Sequence, residues 1–140
     1  MSVETGAPLL RVEGLRMHFF AKAGVVRAVD DVSLAVDRGR VLGLVGESGS
    51  GKSMTGYSIL GLVDAPGRIV AGRILLNGVD LATLDAAAWR RIRGNRVAMI
   101  FQDPMMTLNP VLRVDTQMVE AVLAQQDVAA ESALARCREA

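Results

Sequence analysis

The chain has 140 residues, enough for one compact domain or part of a larger one. Hydrophobic residues make up 51% and aromatics only 4%, so a core must be built from aliphatic side chains, and wholesale disorder is disfavoured. Sixteen basic residues against fifteen acidic ones leave a formal charge of +1, which excludes a general electrostatic footprint for nucleic acid or anionic lipid.

The start, MSVETGAPLL, carries Glu4 and lacks a basic leader ahead of a long apolar run, so it does not read as a signal peptide. Residues 9–19 and 27–36 each mix apolar and polar side chains in near alternation, with a turn at Ala23-Gly24 between them. They predict an antiparallel pair of half-exposed strands. The run VLGLV at 41–45 is short, apolar and not alternating, the pattern of a parallel strand buried on both faces. A glycine-rich loop follows, then a helix expected from Lys52 to about Leu62, closed by Pro66 and Gly67. Residues 72–76 (GRILL), Asn77-Gly78 and residues 79–81 carry the strongest hairpin signal in the chain. Asp85 is placed to cap a short helix through Arg91. VAMIF at 97–101 is a second candidate for a buried strand. After Pro110 the composition turns helical, with candidates at 115–124 and 129–140. The longest stretch free of Asp, Glu, Lys and Arg is 53–63, well short of the roughly 20 apolar residues of a membrane helix. The single Cys137 rules out an internal disulfide and suits a reducing compartment.

Gly46-Glu47-Ser48-Gly49-Ser50-Gly51-Lys52-Ser53 fits the pattern GxxxxGK[ST] at every required position. A triphosphate needs several donors converging on its oxygens, and a tightly wound loop supplies them from backbone N–H groups. Glycines permit the winding, and the N-terminus of the following helix adds partial positive charge. Lys52 is placed to reach the β and γ phosphates, and the Ser53 hydroxyl to ligate Mg²⁺. By composition a chance match in a chain this long is roughly a one-in-a-few-hundred event. The strand before it and the helix after it supply the context the mechanism requires.

These residues, followed by FQDPMMTLNP at 101–110, resemble the ATPase subunits of oligopeptide and dipeptide ABC importers, with the likeness running from about Leu9 to the end of the chain. The loop alone indicates a P-loop NTPase; the second run points to the peptide and nickel importer branch, where the usual form is FQDPMTSLNP. Here Met106 and Thr107 replace its two hydroxyl residues. The resemblance implies an α/β fold, a P-loop NTPase of the ABC nucleotide-binding type. Its expected parts are an antiparallel β flap and an incomplete parallel core sheet over about 9–113, then the start of a helical subdomain over 114–140, all one C-terminally incomplete domain. It implies that Gln102 is the glutamine that approaches Mg²⁺ and the attacking water, a task suited to a neutral amide oxygen. It implies that Phe19 stacks on adenine. It implies ATP and Mg²⁺ as cofactors, and a permease touching residues 102–113. It further implies a second ATPase subunit, an indirect link to a substrate-binding protein, and a peripheral place on the cytoplasmic face of a bacterial inner membrane.

The same resemblance requires an LSGGQ-like signature, a strand ending in Asp-Glu, and a switch histidine. No such string occurs in these residues, and the only histidine, His18, precedes the phosphate loop. Those motifs are expected beyond residue 140, and this chain alone is expected to show negligible ATPase activity, because phosphoryl transfer needs several charge-stabilising groups at once. Arg90, Arg91, Arg93 and Arg96 read as a solvated face, since no interleaved aromatics support base stacking. Trp89 and Cys137 read as structural, and Met105 and Met106 as either packing or an adaptable contact surface. Two further readings remain at this point: an ABC ATPase of DNA repair or translation, and an inert product of a broken gene.

Overall fold

A computed structural model describes residues 6–102 and 108–139. The chain divides between Leu84 and Asp85 into two compact units.

The first unit is built on β1 (Leu10–Ala21), β2 (Gly24–Val36), β3 (Gly67–Leu76) and β4 (Val79–Asp80), with helix α1 (Lys52–Ile59) between β2 and β3. The four strands form one antiparallel sheet in the order β2-β1-β3-β4. The expected N-terminal pair and the later hairpin are therefore joined, because β1 lies between β2 and β3. Val12, Leu15 and Met17 on β1 are fully buried and pack with Val29, Ile74, Leu76, Leu60 and Leu81 as the core of this unit. The step from Val12 to Leu15 breaks strict alternation. A bulge absorbs it, with Gly14 and Asp31 both at positive φ and the Gly14 N–H donating to Ser33 Oγ at 2.8 Å. The β3–β4 turn is formed by Asn77 and Gly78 at φ 50° and 79°, the two left-handed residues that a tight hairpin demands.

Helix α1 ends three residues before the expected Leu62. Gly61 takes φ 62° and donates to Ser58 O at 3.1 Å, while Leu62 N–H donates to Tyr57 O at 2.9 Å. This pair of backward bonds satisfies the last carbonyls and turns the chain off the helix axis.

The second unit carries α2 (Ala86–Ile92), α3 (Val114–Gln125) and α4 (Ala130–Glu139). Asp85 caps α2 as its position predicts, accepting the Ala88 N–H at 2.7 Å. At the other end of α2 the Gln125 amide donates to Arg90 O and Arg93 O at 3.2 and 2.6 Å, tying α3 to carbonyls the helix leaves open. The Arg93 guanidinium lies 4.6 Å over the Trp89 ring. Ala133 is the one fully buried apolar residue of this unit among the described residues.

Two segments differ from their expected form. VLGLV at 41–45 and VAMIF at 97–101 were expected as buried parallel strands, but neither forms a ladder among the described residues. Val41, Val45 and Ile100 are 99%, 91% and 98% exposed. Among the described residues the second segment makes one isolated parallel bridge, Arg93 to Val97. The physical reason is that a central strand is held by neighbours on both sides, and no described strand lies beside either run.

Candidate functional site

Residues 46–53 leave the end of the VLGLV run and wind directly into α1. The Ser50 N–H closes a turn onto Glu47 O at 3.2 Å, and Gly49 and Gly51 adopt φ of 81° and 89°. Gly51 is the N-cap of α1, and the first helical bond runs from Thr55 N–H to Gly51 O at 2.8 Å. The Thr55 hydroxyl, buried, donates to the same carbonyl at 3.0 Å. The amides of Lys52, Ser53 and Met54 therefore precede the first intrahelical bond and point out of the helix end. No side chain caps that end and no acid stands in the first turn. The partial positive charge of the helix is thus left for an external anion.

Lys52 organises the loop. Its ammonium donates to Gly46 O at 2.8 Å, to Glu47 O at 2.6 Å and to Ser50 Oγ at 3.2 Å. Two of the three bonds reach across the loop to its first residues, so the cradle is closed by its own cation. The loop is also pressed against the sheet: a Cβ on Gly51 would lie 2.4 Å from Ala28 O on β2, so only glycine fits there. A Cβ on Gly49, by contrast, would meet nothing within 4 Å. Ser53 is exposed, its hydroxyl on the first turn of α1.

Phe19 stands on β1 opposite Val26, two residues along β2 from the Ala28 that supports Gly51. Its ring covers Gly67, whose added Cβ would lie 2.8 Å from the ring edge and 2.9 Å from Val63. Phe20 is occupied otherwise, with the Arg68 guanidinium 4.0 Å over its ring and His18 6.3 Å away. Of the two neighbouring aromatics, Phe19 is the one not covered by a cation. The supporting roles of Ala28, Val63 and Gly67 carry no sequence signal, since they act through backbone position and the absence of bulk.

Gln102 is exposed, at a bend after Phe101. Asp103, Pro104, Met105, Met106 and Thr107 lie outside the described residues, so that part of the second motif has no structural account. Among the described residues there is no group of three or more His, Cys, Asp or Glu side chains able to hold a metal.

A loop of this form, wound between an apolar run and a helix start, is that of the P-loop fold class. The family model described as ABC transporter matches residues 29–140. The dipeptide transport ATP-binding protein DppD of Escherichia coli is 47% identical over 118 residues, covering 84% of this chain and 36% of the relative. The oligopeptide transport ATP-binding protein AppD of Bacillus subtilis is 42% identical over 132 residues, covering 94% and 40% respectively. Among solved structures, the post-hydrolysis dimer of the ATP-binding cassette MJ0796, bound to ADP and Pi, superposes with a TM-score of 0.73. It is 20% identical and matches 93% of this chain against 54% of its own. The chain belongs to the ABC transporter family, and its fold is that of part of an ABC nucleotide-binding cassette. It spans little more than a third of the length of these curated peptide-transport relatives.

Proposed function

We propose that this chain is the nucleotide-binding front part of an ATP-binding subunit that energises peptide import across a cytoplasmic membrane. The observation that carries the reading is the cradle at 46–53: a wound loop closed by Lys52 and opening on an uncapped helix end with no acid in its first turn. Backbone amides and the Lys52 ammonium bind the phosphates, and Ser53 offers its hydroxyl to a Mg²⁺ that arrives with them. Phe19 takes the adenine face, and Gln102 senses the metal and the attacking water.

The peptide cargo is supported by the identity to dipeptide and oligopeptide transport relatives. No helix among the described residues is long and apolar enough to cross a membrane. In this reading the path for the peptide belongs to a permease partner. The exposed apolar residues Leu108, Val111 and Leu112 offer that partner its contact, and the subunit pairs with a second ATPase on the cytoplasmic face. The readings in DNA repair, in translation or as an inert product draw no support from these relatives.

Titration with a fluorescent ATP analogue tests the core of the proposal. Lys52→Ala removes a charge-assisted donor worth about 1.5–3 kcal/mol per bond, so affinity falls by roughly 10–100-fold or more while the far-ultraviolet dichroism is kept. In the full-length subunit with its permease in proteoliposomes, the same change abolishes ATP-dependent peptide uptake. Undiminished nucleotide binding by Lys52→Ala sinks the assignment.

A further inference from the structure

The segment after Gln102 ends in a turn that is fixed twice over. Its own residues make it first. Asn109 stands at the first corner and Pro110 at the second, Leu112 N–H donates to Asn109 O at 3.2 Å, and Val111 N–H donates to Asn109 Oδ1 at 3.0 Å. Asn, then Pro with its preset φ, are the residues such a turn favours at these corners.

Gln117, near the start of α3, then reaches back over the turn. Its Oε1 accepts the Asn109 N–H at 2.8 Å, and its Nε2 donates to Asn109 O at 3.0 Å and to Leu112 O at 3.1 Å. A carboxamide carries the same donor and acceptor as a peptide group. Asn109 therefore meets in Gln117 what it would meet in a neighbouring strand, and both amide protons of the side chain are spent on the two ends of one turn. Gln117 N–H also donates to Arg113 O at 3.3 Å, the first backbone bond of α3, which has no side-chain cap at Arg113. The turn and the helix start are thereby one body.

That body displays apolar surface: Val111 is 87% exposed, with Leu108, Leu112 and Val114 about half exposed. A contact surface that is already ordered binds without the loss of freedom a loose loop would suffer. We propose that Gln117 is a positioning residue that presets this turn for docking on the permease, an inference that rests on the permease reading above.

Two measurements test it. In this chain, amide exchange by NMR shows Asn109 N–H protected, and Gln117→Ala speeds its exchange about tenfold or more, with protection within α3 and in the β1–β3 sheet unchanged. Gln117→Glu keeps an acceptor for Asn109 N–H but sets a carboxylate oxygen against Asn109 O and Leu112 O, so Asn109 protection falls less than in Gln117→Ala. In the assembled full-length importer subunit, with Cys137→Ser and a single Val111→Cys, crosslinking to the permease is measured at fixed nucleotide affinity. Gln117→Ala slows it by about tenfold, and Gln117→Glu slows it too, because the bonds to both carbonyls are lost. The proposal is overturned if Gln117→Ala leaves Asn109 exchange unaltered, or if exchange rises while crosslinking keeps its rate. Absence of any crosslink from Val111→Cys with Gln117 intact overturns it through the docking reading itself, which the exchange data identify as the failed step.

Discussion

The seating of the phosphate loop on the sheet makes a quantitative prediction at Gly51. Replacing it by alanine imposes two costs. The first is the left-handed backbone at φ 89°, about 1–2 kcal/mol for a residue with a Cβ. The second is steric: the new Cβ would stand 2.4 Å from Ala28 O, a backbone atom of β2 rather than the far end of a flexible side chain. Forcing an atom into such a place costs about 1–3 kcal/mol. Gly49→Ala is the control, since Gly49 has a similar φ of 81° but open space where the Cβ would go. It carries the first cost and not the second, and the stiffening of the unfolded chain by alanine is common to both. The difference of about 1–3 kcal/mol corresponds to roughly 4–20 °C in melting temperature for a unit of this size. Thermal melts followed by far-ultraviolet dichroism read it directly. Equal shifts for the two variants would falsify the idea that contact with β2 holds the loop in shape.

Phe19→Ala separates adenine stacking from packing. Loss of a stacked base costs about 1–3 kcal/mol, so ADP affinity falls by roughly 5–100-fold while inorganic tripolyphosphate binds within about twofold of the parent; parallel losses for both ligands would make Phe19 a packing residue only. Asp115 gives the pH prediction. Its hydrogen-bonded pair with Arg113, at 3.1 and 2.5 Å, holds its carboxyl below the ordinary 3.8, against the opposing effect of desolvation and with help from the Thr116 amide. A depressed carboxylate adds stability that is present at neutral pH, above its unfolded value, and lost as pH falls through the folded value. The carboxyl carbon of Asp115 should therefore titrate with a midpoint below 3.8 and move back up in Arg113→Ala; a midpoint at or above 3.8 in the parent contradicts the pairing.

Much of the first unit was readable because its signals are local. Alternation marks β1 and β2, Asn77-Gly78 marks a turn whose two residues must be left-handed, and Asp85 marks the start of α2. The phosphate loop was readable for the same reason, since each glycine answers a local demand of winding or close approach. The misreadings share a different origin. An apolar run such as VLGLV states that its side chains belong in a core, but it does not state which chain segment covers them. Val41 at 99% exposed shows a residue type and its surroundings in open disagreement. The end of α1 was misplaced for a smaller reason: Gly61 looked like part of an apolar helix and acts instead as its left-handed stop. The link from Gln117 to Asn109 was invisible because a glutamine on a helix surface is unremarkable until the backbone eight residues earlier is known to face it.

The loop's hydrogen bonds also constrain how it can take a phosphate. An ammonium has three protons, and Lys52 directs one to each of three acceptors within the loop itself. In the proposed nucleotide-bound state, contact with a phosphate oxygen would therefore proceed by exchange, with Lys52 releasing or sharing one of its bonds. The longest of the three, to Ser50 Oγ at 3.2 Å, is the least costly to give up, because its acceptor is an exposed hydroxyl that water can serve equally well. The bonds to Gly46 O and Glu47 O hold the loop's shape and are the ones to keep. A cation that is satisfied in either state allows the cradle to exist before its ligand arrives. The helix-start amides, which have no such internal partner, then supply the net attraction.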